Sequence, residues 1–230
     1  MRAFWSDPYL WIHASGLAVV PICLILCLLG LAIGDPILPV GLELGLVAFV
    51  GIAPIAWMQW KKPFYIFSLV AAAIKPEKLT EDQRRLLTLF KARANPVWIA
   101  LGALLLILLL RQIYFIAPIA ANLLPVPEWR GLGLLVAVIG FLASNLFLQV
   151  PLSVAQVLLT SEAQFNATEP YALTQIPQNF SIFGLRVNQI VPALIDDRRI
   201  PEEILTEPSL SGSVFPLSED PLGPDVTLNE

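Results

Sequence analysis

The chain has 230 residues, of which 57% are hydrophobic and only 14% charged, with a net charge of −4 and a mean hydropathy of +0.73. A soluble domain carries about a quarter charged residues, so the composition excludes one and points to a polytopic helical membrane protein. Charge is also segregated: Lys61, Lys62, Lys75, Lys78, Arg84, Arg85, Lys91 and Arg93 crowd one loop, and nothing after Arg199 is basic. These cations alternate with apolar helix positions, which excludes the dense basic tract of a nucleic-acid binder and suits contact with membrane lipids of an anionic leaflet.

The first apolar segment runs from about residue 9 to 34. "FWSDPYLW" precedes it and sets Trp5, Tyr9 and Trp11 at the entry, as in an interfacial aromatic belt. The opening "MRAFWSDPY" does not fit a cleavable signal peptide. "GDP" at Gly34–Pro36 breaks the helix. The second segment, 37–60, ends in "WMQWKK", and the short break predicts an antiparallel hairpin with the first. "PFYIFSLVAAAIKP" has an apolar core of about ten residues, too short to cross roughly 30 Å of hydrocarbon. It is expected to be an interfacial or re-entrant helix.

"LTEDQRRLLTLFKA" opens with Thr80 and Gln83 in capping-box spacing and carries Leu86, Leu87, Leu89 and Phe90 on an apolar side. An amphipathic helix resting on the membrane or on a partner is expected. The third segment runs 97–121. After "LLPVPEWRG" the fourth runs 131–160, interrupted by Pro151. Residues 161–197 hold hydrophobic islands and read as partly ordered; 198–230 are acidic and expected to be a disordered tail.

The fold class is therefore all-α and polytopic: four transmembrane helices in two hairpins within 1–160, a short amphipathic or interfacial helical loop at 61–96, and a mostly irregular C-terminal tail. The opposite loops carry only Arg130. The positive-inside rule then puts the basic loop and both termini on the cytoplasmic or stromal side. Lys61, Lys62, Arg84, Arg85, Lys91 and Arg93 become the candidate membrane-surface cations.

Arg111 interrupts the aliphatic run "ALLLILLLRQIYFIAP". Counting about 1.5 Å per residue puts it within a few ångströms of the depth of Glu43. A structural Glu43–Arg111 ion pair between neighbouring helices is expected; the alternative is that each side chain snorkels to the interface. No series of further acids accompanies them, so a transport relay is the weaker reading. His13 is the only histidine. It is the candidate cofactor ligand, for a chlorophyll or a haem iron, against the ordinary reading of a histidine bonded to a neighbouring segment. A bis-histidine haem is excluded.

Ser144, Asn145 and Gln149 lie in the fourth segment, and Asn145 and Gln149 share a face. They are expected to make helix–helix contacts within the protein or with a partner. Cys23 and Cys27, one helical turn apart, read as small hydrophobes. No metal set is present, and no HExxH, CxxC, GxGxxG, Walker A or GxSxG pattern occurs. The chain is not expected to be an enzyme.

"FWSDPYLWIH", "GLAIGDP", "WMQWKKPFYIFSL", "KPEKLTEDQRRLLTLFK", "FLASNLFLQVPLSVAQVLLTSE" and "EPY" together cover most of residues 1–171. As a set they resemble the cyanobacterial low-complexity tail membrane protein family, which has relatives in plant chloroplasts. The resemblance implies a thylakoid protein associated with early photosystem II reaction-centre assembly complexes, with photosystem II subunits or assembly factors as partners. It implies no catalytic residues. The alternatives are a small-molecule transporter or channel subunit using Glu43, Arg111, Asn145 and Gln149, and a pigment-binding protein holding chlorophyll or carotenoid at His13.

Overall fold

A computed structural model describes residues 3–69, 71–92, 96–121 and 129–191. Among them four helical stretches are long and apolar enough to cross a membrane: Pro8–Ala32, Val40–Lys61, Pro96–Ala121 and Arg130–Leu158. Arg93 and residues 198–230 lie outside the described residues.

The first span is two helices. Helix α1 covers Pro8–Ser15 and helix α2 covers Val20–Ala32, joined by a 3-10 stretch, Gly16–Val19. Pro21 has no N–H to offer the Leu17 carbonyl, and the tighter turn absorbs that gap. Asp7 caps α1, accepting from the Tyr9 N–H at 2.9 Å, with Pro8 as the first helical residue. The later elements are α3 (Val40–Lys61), α4 (Glu81–Ala92), α5 (Pro96–Ala121), α6 (Arg130–Leu158), α7 (Glu162–Asn166) and α8 (Ile176–Asn179).

Helix α6 is the axis of the bundle and packs against α2, α3 and α5. It meets α2 backbone to backbone. A Cβ on Gly140 would lie 2.7 Å from the Cys27 nitrogen and 2.9 Å from the Cys23 carbonyl oxygen, and one on Gly133 would lie 2.6 Å from the Gly30 oxygen. Lipid tails are as apolar as side chains, so small residues that allow such contact supply the packing that holds the helices together. Cys23 and Cys27 are free thiols on this seam. The bundle core adds Leu31, Val47, Leu106, Leu110, Ala137 and Phe141.

The basic end is closed by a separate layer, which corrects two expectations. The described residues of 63–75 do not form a helix. Strands β1 (Ser68–Leu69) and β2 (Ala72–Ile74) make an antiparallel hairpin, and β3 (Leu185–Val187) joins β2 in parallel, Ala72 opposite Leu185 and Ile74 opposite Val187. Pro63 and Pro76 bracket a segment rich in aromatic residues, which favours extended backbone once a partner strand is present. Gly184, at φ 93°, turns the chain into β3 against Ala71, where a side chain would collide.

The second correction concerns α4. Its capping box forms as expected: Thr80 N–H donates to Gln83 Oε1 at 3.1 Å and Gln83 N–H to Thr80 Oγ1 at 3.2 Å. Its apolar side, however, rests on this chain. Leu86, Leu87, Leu89 and Phe90 are buried in one core with Phe4, Tyr65, Phe67, Phe165, Ile176 and Phe180. Phe4 stacks on Phe165 at 4.7 Å between centroids. The N-terminal residues, the basic loop and residues 162–191 thus share one end of the bundle.

Candidate functional site

The strongest polar centre lies at the opposite end, away from the basic layer. Glu43, one turn into α3, is fully buried, and Arg130, the first residue of α6, is only 4% exposed. Arg130 grips the carboxylate with two nitrogens: Nε donates to Oε1 at 3.1 Å and Nη2 donates to Oε2. Tyr114 of α5 donates its hydroxyl to Oε2 at 3.1 Å, and the Ile37 N–H reaches Oε1 at 3.2 Å. Nη1 of Arg130 donates to the carbonyls of Leu31 at 2.7 Å and of Ile33 and Gly34 at 3.2 Å each. One guanidinium therefore neutralises an acid and caps the C-terminus of α2, where carbonyls lack helical partners and the dipole favours a cation. All four spans meet here.

This replaces the expected Glu43–Arg111 pair. Arg111 sits on an exposed stripe of α5 with Leu104, Leu108 and Phe115. Its guanidinium stands 5.8 Å from the Phe115 ring centroid, and no ion pair to it forms among the described residues. The buried side of α5 is Gly102, Leu106, Leu110, Tyr114 and Ala117. Arg111 follows Leu110 by one residue, about 100° round the helix, so it lies off the face of α5 that meets Glu43. The site residue that sequence reasoning missed is Arg130. Its signal was available: it is the lone cation of the non-basic loops.

The polar residues of the fourth span bond inside the chain. Asn145 Nδ2 donates to the Gly51 carbonyl of α3 at 3.1 Å, Gln149 Nε2 to the Ile99 carbonyl of α5 at 3.0 Å, and Ser144 Oγ to Gly140 of its own helix at 2.8 Å. Gly102 leaves room for the Gln149 amide. Gln59, on the buried side of α3, is 1% exposed, and its amide nitrogen and oxygen have no partner among the described residues.

His13 lies at the basic end. Its Nε2 is 2.7 Å from the Ile66 carbonyl, which fixes that nitrogen as the N–H donor, and its ring meets Phe64 edge-on at 5.5 Å. It borders a cavity of about 520 Å³ with Gly16, Phe64, Phe147, Pro151 and Phe183. A ligand bound through Nε2 would have to displace Ile66.

The surface cations divide. Lys61 and Lys62 are exposed, with Lys61 over the Trp57 ring at 5.3 Å. Arg85 pairs with Glu81 at 2.8 Å and Asp82 at 3.3 Å, and Lys91 donates to the Tyr171 hydroxyl at 2.9 Å. Arg84 is half-buried, and its carbonyl accepts from the Tyr171 N–H at 3.2 Å. At the seam between α1 and α4, burial pushes the Asp7 carboxyl above its ordinary value, against hydrogen bonds from Gln83 and the Tyr9 N–H that favour the anion.

Among the described residues no group of three His, Cys, Asp or Glu is placed to hold a metal ion. A family model described as low-complexity tail membrane protein-like matches residues 6–192. No curated protein and no solved structure matches.

Proposed function

This chain belongs to the low-complexity tail membrane protein-like family, and we propose on that premise that it is a non-enzymatic scaffold that helps assemble or stabilise photosystem II reaction-centre intermediates. It is an integral, multi-pass membrane protein. Its membrane is the thylakoid, its basic layer faces the stroma or cytoplasm, and its partners are photosystem II subunits or their assembly factors.

The observation that carries the scaffold role is the closed Glu43–Arg130–Tyr114 centre. Each carboxylate oxygen accepts two hydrogen bonds and each guanidinium nitrogen donates. Such a group holds helices in one arrangement and leaves no site open for a passing solute. The four residues that a transport path would use point to separate places: Glu43 into this centre, Asn145 and Gln149 to backbone carbonyls, and Arg111 to the exposed side of α5. The photosystem II assignment is supported by the sequence resemblance across residues 1–171.

Affinity purification of a tagged full-length chain from thylakoids, followed by mass spectrometry, tests the proposal. Enrichment of reaction-centre core subunits or their assembly factors over an unrelated tagged membrane protein is the expected result. Recovery of the chain without them rejects it.

A further inference from the structure

Arg111 is the one intramembrane charge that the described bundle leaves unneutralised. Helix α5 has 26 residues, and Arg111 stands ten residues before its end at Ala121. At about 1.5 Å per residue that is roughly 15 Å from the helix end, while hydrocarbon about 30 Å thick surrounds the span. The Cα therefore lies just past the middle of the helix, within the apolar layer and on the exposed side of α5. The Phe115 ring beside it supplies a weak cation–π contact and no counter-charge.

The surroundings are shaped for a neighbour. Between α3 and α5 a groove of about 230 Å³ is lined by Leu44, Gly45, Ala48, Ile107, Leu110 and Arg111. A Cβ on Gly45 would meet nothing within 4 Å, and the same holds for Gly41 one turn away. The backbone of α3 is thus open to close approach beside a cation that lacks an acid. Resting on the scaffold role above, we propose that this α3–α5 face docks one transmembrane helix of a different protein, which brings an aspartate or glutamate to Arg111.

Charge complementarity selects that occupant. A second copy of this chain fits badly: its four spans contain a single acid, Glu43, which is buried and held by Arg130. Two copies meeting here would oppose guanidinium to guanidinium. A helix with a carboxylate at matching depth removes the charge from lipid and closes the groove.

The test uses the tagged full-length chain in its native membrane. A photo-crosslinking residue replaces Leu108, beside Arg111, and in a control replaces Leu135 on the exposed side of α6. The co-purifying protein is quantified for the wild type, Arg111→Leu and Arg111→Lys. Expected are a crosslink at Leu108 and none at Leu135 to one protein with an intramembrane Asp or Glu, at least tenfold less of it with Arg111→Leu, and retention with Arg111→Lys. Arg111→Glu should lose the partner and regain it when the partner's acid becomes Arg. Thermal unfolding in detergent checks that Arg111→Leu still folds.

A partner that stays at wild-type level with Arg111→Leu overturns this docking face and leaves the scaffold role standing. Crosslinks from Leu108 to lipid alone, or to a second copy, overturn it too. Absence of any specific partner in the wild type rejects both.

Discussion

Arg130 spreads its donors over three carbonyls and both oxygens of Glu43, so either side chain alone is a liability. Removing one member of a buried pair strands the other, at a typical cost of about 3–5 kcal/mol, whereas replacing both by apolar residues of similar size is often neutral. Arg130→Met and Glu43→Leu should each lower thermal stability in detergent by several kcal/mol, and the double variant should recover much of the loss. Additive losses would mean that the two do not act as a pair. Gln59 gives the opposite case. Its buried amide has no partner among the described residues, and an unmet polar group costs about 1–3 kcal/mol. Gln59→Leu should raise the melting temperature; a comparable fall would reveal a hydrogen bond made through water or lipid. Position along each helix is readable from the sequence at this scale, because helical rise is fixed. Rotation was not: Leu110 and Arg111 differ by one residue, yet one is buried and the other exposed.

Among the elements, the spans were the most legible, ending within about three residues of their expected limits, because a bilayer demands apolar length whatever the neighbours are. The hairpin of β1 and β2 was illegible for a matching reason. Its partner strand is more than a hundred residues away, at Leu185–Val187, and local apolar content alone does not separate a short strand from a short helix. The N-terminal cap of α1 adds a pH effect. Asp7 bonds to the Tyr9 N–H and to Gln83 Nε2 of α4 at 3.2 Å, while burial holds its carboxyl above its ordinary 3.8. The folded state therefore takes up this proton more readily than the unfolded chain. The stabilisation linked to it is complete below the ordinary value and is lost as pH rises through the raised one. Melting temperature should fall across that window in the wild type and fall less steeply in Asp7→Asn. Parallel curves would remove Asp7 as the cause.

For the whole molecule, the question is how much of the chain the membrane bundle requires. The family match ends at residue 192, and the described residues end at 191. The sequence of 161–197 reads as only partly ordered, because it is proline-rich and loses the membrane signature while keeping hydrophobic islands. The structure gives them a use. Phe165, Ile176 and Phe180 are each at most 2% exposed and share one core with Leu86, Leu87 and Phe90 of α4. β3 supplies the strand beside β2. A chain stopped after Pro192 should insert, resist protease and melt as the full chain does. A chain stopped after Ser161 should lose protease resistance in the α4 region and melt markedly lower. Full burial of one such side chain contributes about 1.5–3 kcal/mol, and three are withdrawn together with a strand. Size-exclusion profiles of both truncations in detergent, read over a temperature series, separate the cases. If the shorter chain proves as stable as the longer one, α4 is held by something other than residues 162–191, such as lipid, and the end layer is not one cooperative unit.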